Sequence, residues 1–161
     1  MQPRVEPEIG LRFTRRLAGD VGVAEVLAAC EGAFACLEVV DSVWAGYRFT
    51  IEDNTADGSS AAWVVVGDEL PRDDLAGIGV ALSVDGAVVA EATGAAAGGH
   101  PAAGVGWLAA QLTGSGRVIE AGDLVITGGL TRAIPLRPGG SIGAEFTDLA
   151  GRVRSRVVVR G

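Results

Sequence analysis

The chain has 161 residues, of which 48% are hydrophobic, and it carries a formal net charge of −7. This length suits one domain with a sizeable core, and no apolar run is long enough for a membrane-spanning helix, so no membrane partner is expected. The acidic balance without a basic cluster argues against nucleic acid as a partner. The lack of any lysine excludes Schiff-base chemistry by this chain alone.

Alternation of polar and apolar residues over 4–14 predicts the first strand. Asp20 is expected to cap a helix over residues 23–36, because the apolar residues of that segment fall on one helical face. The apolar run 37–42 then predicts a buried strand. The polar, turn-rich stretch 46–62 predicts a loop, and loops often carry functional residues.

The second half of the chain is dominated by strand patterns. Residues 78–94 predict a β-hairpin with its turn at Asp85-Gly86. A second helix is expected to open at Pro101, with His100 as a structural residue of its cap region, and to end at Gly114. Further strands are predicted over 63–67, 122–136 (with a glycine kink), 141–149 and 152–161. The expected fold class is α+β, mainly β: a mixed, mostly antiparallel β-roll or barrel with two main flanking helices.

Cysteines and tryptophans receive structural interpretations. Cys30 and Cys36, expected in one helical segment, have neither disulfide nor metal-ligand spacing, and we interpret them as small hydrophobic side chains. Trp44, Trp63 and Trp107 are interpreted as core or subunit contacts. The N-terminal residues show no signal-peptide pattern, so a cytoplasmic location is predicted.

Three glutamates form the strongest candidate site. Glu6 and Glu8 lie two apart in a predicted strand and therefore point to one face, and Pro7 favours the extended backbone this requires. Glu38 interrupts an apolar strand, where a lone carboxylate is costly unless it is paired, hydrogen-bonded or bound to a metal. Carboxylate oxygens suit Mg²⁺ or Mn²⁺. A Glu-x-Glu motif alone is weak evidence, since glutamates are common on solvated strands.

Five segments, taken together and in order, resemble the 2-keto-4-pentenoate hydratase and 4-oxalocrotonate decarboxylase family of the fumarylacetoacetate hydrolase superfamily. The segments are RVEPEIGLRF, LEVVDS, IEDNTADGSSAAWVVVG, GHPAAGVGWLAAQL and AGDLVITGGLTRAIPLRPG. The resemblance implies the superfamily's C-terminal β-roll or barrel. It also implies one catalytic domain over residues 1–161, without the family's N-terminal region.

The resemblance assigns roles to individual residues. Glu6, Glu8 and Glu38 match the family's ligands for Mg²⁺ or Mn²⁺. Asp57 and Ser60 match a catalytic loop that faces the substrate, although Gly58 stands where that loop has asparagine. Leu130 and Thr131, with Ser60, match substrate-binding positions; Leu130 and Thr131 lie in the family's Gly-x-Leu-Thr turn.

The implied activity is a metal-dependent lyase acting on small 2-keto or 2-hydroxydienoic acids in aromatic catabolism. A 2-keto acid can chelate a metal through its carboxylate and ketone oxygens, and the metal then stabilises the dienolate formed as a proton moves. A hydratase of the 2-oxopent-4-enoate type is preferred, with Glu38 rather than aspartate favouring that branch by resemblance. The alternatives are a decarboxylase of the 4-oxalocrotonate type, another superfamily reaction on acylpyruvate or oxaloacetate, and a non-catalytic partner subunit.

Two departures from the family pattern bear on activity. The family's catalytic lysine belongs to its N-terminal region, and this chain contains no lysine. Val43 also stands where the family has arginine. A truncated gene product, a second subunit that supplies the missing part, and a diverged relative all fit these departures. The resemblance implies a homo-oligomer, or a complex with a homologous subunit, which would also cover exposed sheet edges.

Overall fold

The computed structural model describes residues 1–161 and consists mainly of antiparallel strands. The strands are β1 Arg4–Phe13, β2 Cys30–Val40, β3 Ala61–Leu70, β4 Gly79–Val84, β5 Ala87–Thr93, β6 Leu124–Ile126, β7 Ile134–Pro135, β8 Ser141–Thr147 and β9 Val153–Arg160. The α-helices are α1 Val23–Ala29, α2 Ile51–Ala56 and α3 Pro101–Gly114, and four short 3₁₀ turns lie in the connections. None of these helices is long and apolar enough to cross a membrane.

The strands form two open sheets, and every pairing is antiparallel. The first sheet has the order β3-β2-β1-β6, with the short β7 also paired to β1, and the second has the order β5-β4-β8-β9. The sheets pack against each other where β9 meets β2 and β3. The predicted α+β, mainly β fold class is confirmed, as two facing sheets rather than a closed barrel.

The core lies between the sheets and follows from the two-residue period of each strand. One face of β1 is wholly buried, and the facing strands of the second sheet contribute Leu82, Ile142 and Phe146. These side chains belong to one cluster of 26 buried residues that also includes parts of α1 and α3. Because the apolar face of β1 is turned to this core, the other face carries its polar residues, among them Glu6 and Glu8.

A gap in strand pairing beside the middle of β1 positions the candidate site. β7 pairs with Arg4 and Val5, whereas β6 pairs only with residues 10–12. The loop 127–133 crosses the gap, and the Leu130 N–H donates to the Pro7 carbonyl over 2.9 Å. Proline normally breaks a central strand because it has no N–H. Pro7 pairs with Leu37 of β2 on one side, and it is tolerated because no strand pairs with it on the other side.

The predicted helix over 23–36 is wrong in its second half. The helix ends at Ala29, its N-cap is Gly22 rather than Asp20, and Cys30 begins β2. Pairing of β2 with both β1 and β3 overrides a helical spacing of apolar residues that arises by coincidence. Cys30 and Cys36 are both buried and free, as expected of small hydrophobic residues, although they lie in a strand.

Most other predicted elements are confirmed, but the segment 122–136 forms a strand only over β6 and β7, which the loop 127–133 separates. The hairpin turn lies at Asp85-Gly86, and α3 runs over the predicted residues. The predicted loop contains the short helix α2. The core interpretation of the tryptophans is wrong, because Trp44 is 38% exposed and Trp63 and Trp107 are each 67% exposed. The exposed side chains remain free for the predicted subunit contacts.

Candidate metal centre

Strand register brings the three predicted glutamates together. Glu6 and Glu38 are direct partners across the β1–β2 ladder, and Glu8 pairs with Cys36 two residues further along. Residues that are paired or two apart point to the same face of a sheet. One carboxylate oxygen from each glutamate lies within 4.8 Å of the other two. The arrangement therefore offers three oxygen ligands to one cation.

The electrostatics of the cluster are unfavourable without a cation. Glu8 is fully buried, whereas Glu6 and Glu38 are half-buried. Burial, followed by the charge of Glu38, raises the pKa of Glu8 to about 9. Burial and the same neighbouring charge raise the pKa of Glu6. These shifts arise because burial and nearby like charges both disfavour an ionised carboxylate.

Glu8 provides the best test of whether a metal fits. The Gly128 N–H donates to its Oε2 over 2.9 Å, which fixes the orientation of the carboxylate. Its Oε1 is the one buried side-chain polar atom in the structure that receives no hydrogen bond from an N–H or hydroxyl group, and its remaining neighbour is the Glu38 carboxylate, with which a protonated Glu8 can share its proton. Buried polar atoms normally have partners, so an oxygen without such a donor next to two further carboxylates is what an oxygen-ligated divalent cation requires.

The glycines of the loop 127–133 let the backbone approach the carboxylates. A Cβ at Gly129 would overlap Oε2 of Glu6 and crowd the Thr131 carbonyl, so a larger residue here would displace the Glu6 carboxylate or the loop. Two hydrogen bonds attach the loop to β1. The Ile9 N–H donates to Thr127 Oγ1 over 3.2 Å, and the Leu130 N–H donates to the Pro7 carbonyl. Gly128 therefore donates a hydrogen bond to Glu8, and Gly129 leaves room for the Glu6 carboxylate.

The loop between β2 and β3 is organised by Asp57. Its Oδ2 accepts hydrogen bonds from Ser42 Oγ, the Val43 N–H and Ser60 Oγ, each over 3.2 Å. Ser60 is buried, has φ +61° and also contacts Asn54 Oδ1. The network connects the end of β2, which carries Glu38, to the start of β3. Asp57 Oδ1 accepts no hydrogen bond from the chain.

Leu130 and Thr131 lie in the loop that holds the glutamates. Leu130 is buried and uses its backbone N–H on Pro7, while Thr131 Oγ1 donates to the Arg132 carbonyl over 3.3 Å. His100 is the N-cap of α3, where its Nδ1 accepts from the Ala102 N–H over 3.0 Å. This contact confirms its predicted structural role.

Sequence reasoning missed two neighbours of Glu8. It gave the Gly-x-Leu-Thr turn that begins at Gly128 a substrate-binding role only, and it did not foresee that the Gly128 N–H donates to Oε2 of Glu8. It also misplaced Cys36, which lies opposite Glu8 in the ladder. Burial, followed by the charge of Glu8, raises the pKa of Cys36 to about 12, so the thiol stays protonated at neutral pH. The Gly128-Gly129 pair between two predicted strands was the available signal for the contact of Gly128. The contact of Cys36 was hidden because its segment was predicted to be a helix.

Similar proteins share both sequence and fold with this chain. A "4-oxalocrotonate decarboxylase" of Pseudomonas sp. is 37% identical over 150 residues, which cover 92% of this chain and 59% of that relative. A "2-keto-4-pentenoate hydratase" of Burkholderia vietnamiensis is 35% identical, covering 96% of this chain and 60% of the relative. The structure of the Pseudomonas putida G7 "4-oxalocrotonate decarboxylase", complexed with magnesium and adipate, aligns with a TM-score of 0.91 and 31% identity, covering 99% of this chain and 60% of that one.

These matches agree on the part of the family to which the chain corresponds. The chain spans about three-fifths of the length of these relatives. Residues 1–158 match the family described as "Fumarylacetoacetate (FAA) hydrolase C-terminal". With nearly its whole length covered by that match, and with relatives above 30% identity over more than nine-tenths of its residues, the chain belongs to the fumarylacetoacetate hydrolase family.

Proposed function

We propose that Glu6, Glu8 and Glu38 bind one divalent cation, Mg²⁺ or Mn²⁺, and that the site serves as a lyase for small 2-keto acids. A hydratase of the 2-oxopent-4-enoate type is the preferred reaction. The observation that carries the proposal is the convergence of three carboxylates around Oε1 of Glu8, to which no N–H or hydroxyl group donates. The magnesium and calcium complexes of the Pseudomonas putida G7 decarboxylase support a divalent cation.

The proposed roles follow from the contacts of each residue. When bound, the cation supplies a Lewis acid that polarises the adjacent carboxylate and ketone oxygens of a 2-keto acid. Glu6, Glu8 and Glu38 hold the cation, and Gly128 fixes the orientation of Glu8. The loop that contains Leu130 and Thr131 forms the wall beside the carboxylates, where it is placed to orient the substrate.

Proton transfer requires a further group, and Asp57 is the proposed one. Its Oδ2 is occupied by three donors, which fix the carboxylate, while Oδ1 accepts nothing from the chain. A fixed carboxylate with one free oxygen can orient a water molecule or exchange a proton with substrate. Ser60, whose hydroxyl contacts Asp57, is proposed to orient this group.

A decarboxylase of the 4-oxalocrotonate type is the second candidate. It is favoured by the 37% identical relative of that name, whereas the hydratase is favoured by relatives of 35% and 34% identity. Both reactions act on small 2-keto acids, so the same metal site suits either. A non-catalytic partner subunit is the third candidate, favoured by the lack of lysine.

We also propose that the chain forms a homo-oligomer. Trp63, Val64 and Val66 are exposed on β3, the edge strand of the first sheet, and Val88 and Val89 are exposed on β5, the edge of the second. Apolar edge strands left open tend to pair or to become covered. Sedimentation measurements at several concentrations test this, and a monomer at every concentration would contradict it.

Turnover is tested with two substrates in parallel. The purified chain is mixed with Mg²⁺ and either 2-hydroxypenta-2,4-dienoate or 4-oxalocrotonate, and the ultraviolet absorbance of each is followed. The lyase proposal expects loss of one substrate that depends on Mg²⁺ and is abolished by the double change Glu6→Gln and Glu8→Gln. A chain that binds Mg²⁺ but consumes neither substrate contradicts the lyase and supports the partner subunit.

A further inference from the structure

Arg4 is a cation without an anionic partner next to the carboxylate cluster. It lies two residues before Glu6 on β1, so its side chain starts from the same face of the sheet. Its cross-strand partners, Val40 on β2 and Pro135 on β7, are apolar. None of the four ion pairs of the chain includes Arg4, so no carboxylate oxygen lies within 4.0 Å of its guanidinium.

The Arg4 guanidinium is held in place by an aromatic ring instead. Its Cζ lies 4.2 Å from the centroid of the Tyr47 ring. Such a cation–π contact uses the flat face of the guanidinium, whereas its N–H groups point outward from the edge. None of those N–H groups donates to another group of the protein, so the edge is free to bind a carboxylate in the bidentate manner typical of arginine.

Tyr47 is fixed in a strained conformation that supports this arrangement. Its φ is +57°, which a non-glycine residue seldom adopts, and such strain is most often found at functional sites. The Tyr47 hydroxyl donates to the carbonyls of Val40, over 2.9 Å, and Gln2, over 3.2 Å. These contacts connect the ring to Val40 of β2, which pairs with Arg4, and to the segment that leads into β1.

The segment that carries Tyr47 is held by Gln2. The Gln2 Nε2 donates to the carbonyls of Ser42 and Trp44, and its Oε1 accepts from the Gly46 N–H over 2.8 Å. The Gln2 N–H also donates to Asp41 Oδ1 over 2.7 Å. The position of the Arg4 guanidinium is therefore set before any ligand binds, which lowers the entropic cost of binding.

We propose that Arg4 binds the second carboxylate of a dicarboxylic substrate whose first carboxylate lies at the Glu6–Glu8–Glu38 site. This assignment rests on the proposed metal site and 2-keto acid lyase, and it names Arg4 as the residue that selects dicarboxylates over monocarboxylates. It therefore favours the second candidate reaction, on the dicarboxylate 4-oxalocrotonate, over the hydratase, whose substrate has one carboxylate. Three carboxylates with one divalent cation leave the site negatively charged, so a second anionic group needs a nearby positive charge. The backbone positions of Arg4 and Glu6 are roughly 7 Å apart along the strand. This spacing is comparable to the length of an extended six-carbon dicarboxylic acid.

The experiment compares adipate with hexanoate, which have the same number of carbons but two carboxylates and one. Each is titrated calorimetrically into the Mg²⁺-containing protein, for the wild type, Arg4→Gln, Arg4→Lys and Arg117→Gln. Arg117 is an exposed arginine outside all four ion pairs, three residues past the end of α3, so its change removes a positive charge away from the cluster. Thermal denaturation of each variant verifies that it is folded.

The wild type and Arg117→Gln are expected to prefer adipate by about tenfold or more, the usual value of a charge-assisted hydrogen-bonded pair. Arg4→Gln is expected to abolish this preference without changing hexanoate binding, and Arg4→Lys to retain part of it. An adipate preference that survives in Arg4→Gln, or a wild type without one, overturns the assignment.

A separate Mg²⁺ titration without adipate distinguishes this result from failure of the metal site. Binding of Mg²⁺ without any adipate preference contradicts only the role of Arg4. A wild type that binds neither Mg²⁺ nor adipate contradicts both the role of Arg4 and the proposed function. Substitution of Tyr47 by leucine offers a second test, because it removes the ring and leaves the charge; we expect it to weaken adipate binding and leave Mg²⁺ binding unchanged.

Discussion

Glu6 and Glu38 face each other directly across the β1–β2 ladder, on the half-buried face of an antiparallel sheet. Like charges in such cross-strand positions destabilise a sheet. Here a third carboxylate, Glu8, lies beside the pair, and its buried Oε1 receives no hydrogen bond from an N–H or hydroxyl group. The arrangement is therefore costly for the empty protein and becomes favourable when a cation neutralises it.

Glu38→Gln is expected to have opposite effects with and without metal. In EDTA the variant should be more stable than the wild type by about 0.2–1 kcal/mol, because a cross-strand repulsion is removed. With excess Mg²⁺ the order should reverse, since the wild type gains binding energy that the variant lacks. Thermal denaturation in both solutions measures this, and Glu91→Gln on the exposed edge of β5 is the control. Equal responses of Glu38→Gln and the wild type to Mg²⁺ would contradict the account.

The stability of the metal-free protein should fall as pH rises. The pKa of Glu8 is raised to about 9 when folded, against an ordinary value of 4.5. The folded state then binds more protons than the unfolded state between these values. The stabilisation from the proton is complete below pH 4.5 and is lost as pH rises toward 9. The slope reaches up to about 1.4 kcal/mol per pH unit for one proton.

This pH dependence is measured by chemical denaturation in EDTA at several values between pH 5 and pH 8.5. Glu8→Gln should flatten the profile, since glutamine does not titrate. Saturating Mg²⁺ should also flatten or reverse it, because the cation replaces the proton at this site. A wild-type profile that rises with pH over this range in EDTA would refute the burial of a protonated Glu8.

The polar and apolar faces of β1 were predictable from sequence, because side chains alternate between the two faces of a strand. Alternation placed Glu6 and Glu8 on one face, and an acidic residue in an apolar run marked Glu38. Neither signal gave the pairing register that makes Glu6 and Glu38 direct neighbours, since register depends on contacts between distant strands. The residue patterns suggested the group of three glutamates and the resemblance to a family supported it; the strand register explains why they converge.

Gly129→Ala is expected to weaken metal binding while leaving the fold intact. The added Cβ would overlap Oε2 of Glu6 and displace that carboxylate from the cluster. Loss of ligand orientation typically costs about 10- to 100-fold in metal affinity. Gly104→Ala is the matched control, because a Cβ at that helical position meets nothing within 4 Å. Calorimetry measures the Mg²⁺ affinity of both variants. Equal affinities would show that a Cβ at residue 129 does not displace the Glu6 carboxylate.

His100→Ala should destabilise the protein by about 0.5–2 kcal/mol, the usual cost of losing a helix N-cap. Its Nδ1 accepts the Ala102 N–H, and no other side chain caps α3. His100→Asn should recover most of the loss, because asparagine is a good N-cap. Urea denaturation measures both variants. If His100→Asn is as unstable as His100→Ala, the capping role of His100 is contradicted.

The segment Cys30–Val40 shows most clearly what sequence patterns could not predict. Its first residues continue the apolar face of α1 at helical spacing, yet they form the start of β2. Pairing with β1 on one side and β3 on the other decides the outcome, and neither partner is close in sequence. The contacts of Asp57 and the ring of Tyr47 beneath Arg4 were equally hidden, because positive φ angles and loop contacts leave little trace in composition.

The central claim is that Glu6, Glu8 and Glu38 bind one divalent cation, and calorimetric titration with Mg²⁺ tests it most directly. The wild type should bind one ion per chain. Glu8→Gln should lose more than about 10- to 100-fold in affinity, the usual loss when only the indirect support of a ligand is removed. Glu91→Gln should bind as the wild type does. Equal binding by all three proteins, or no binding by the wild type, would contradict the account.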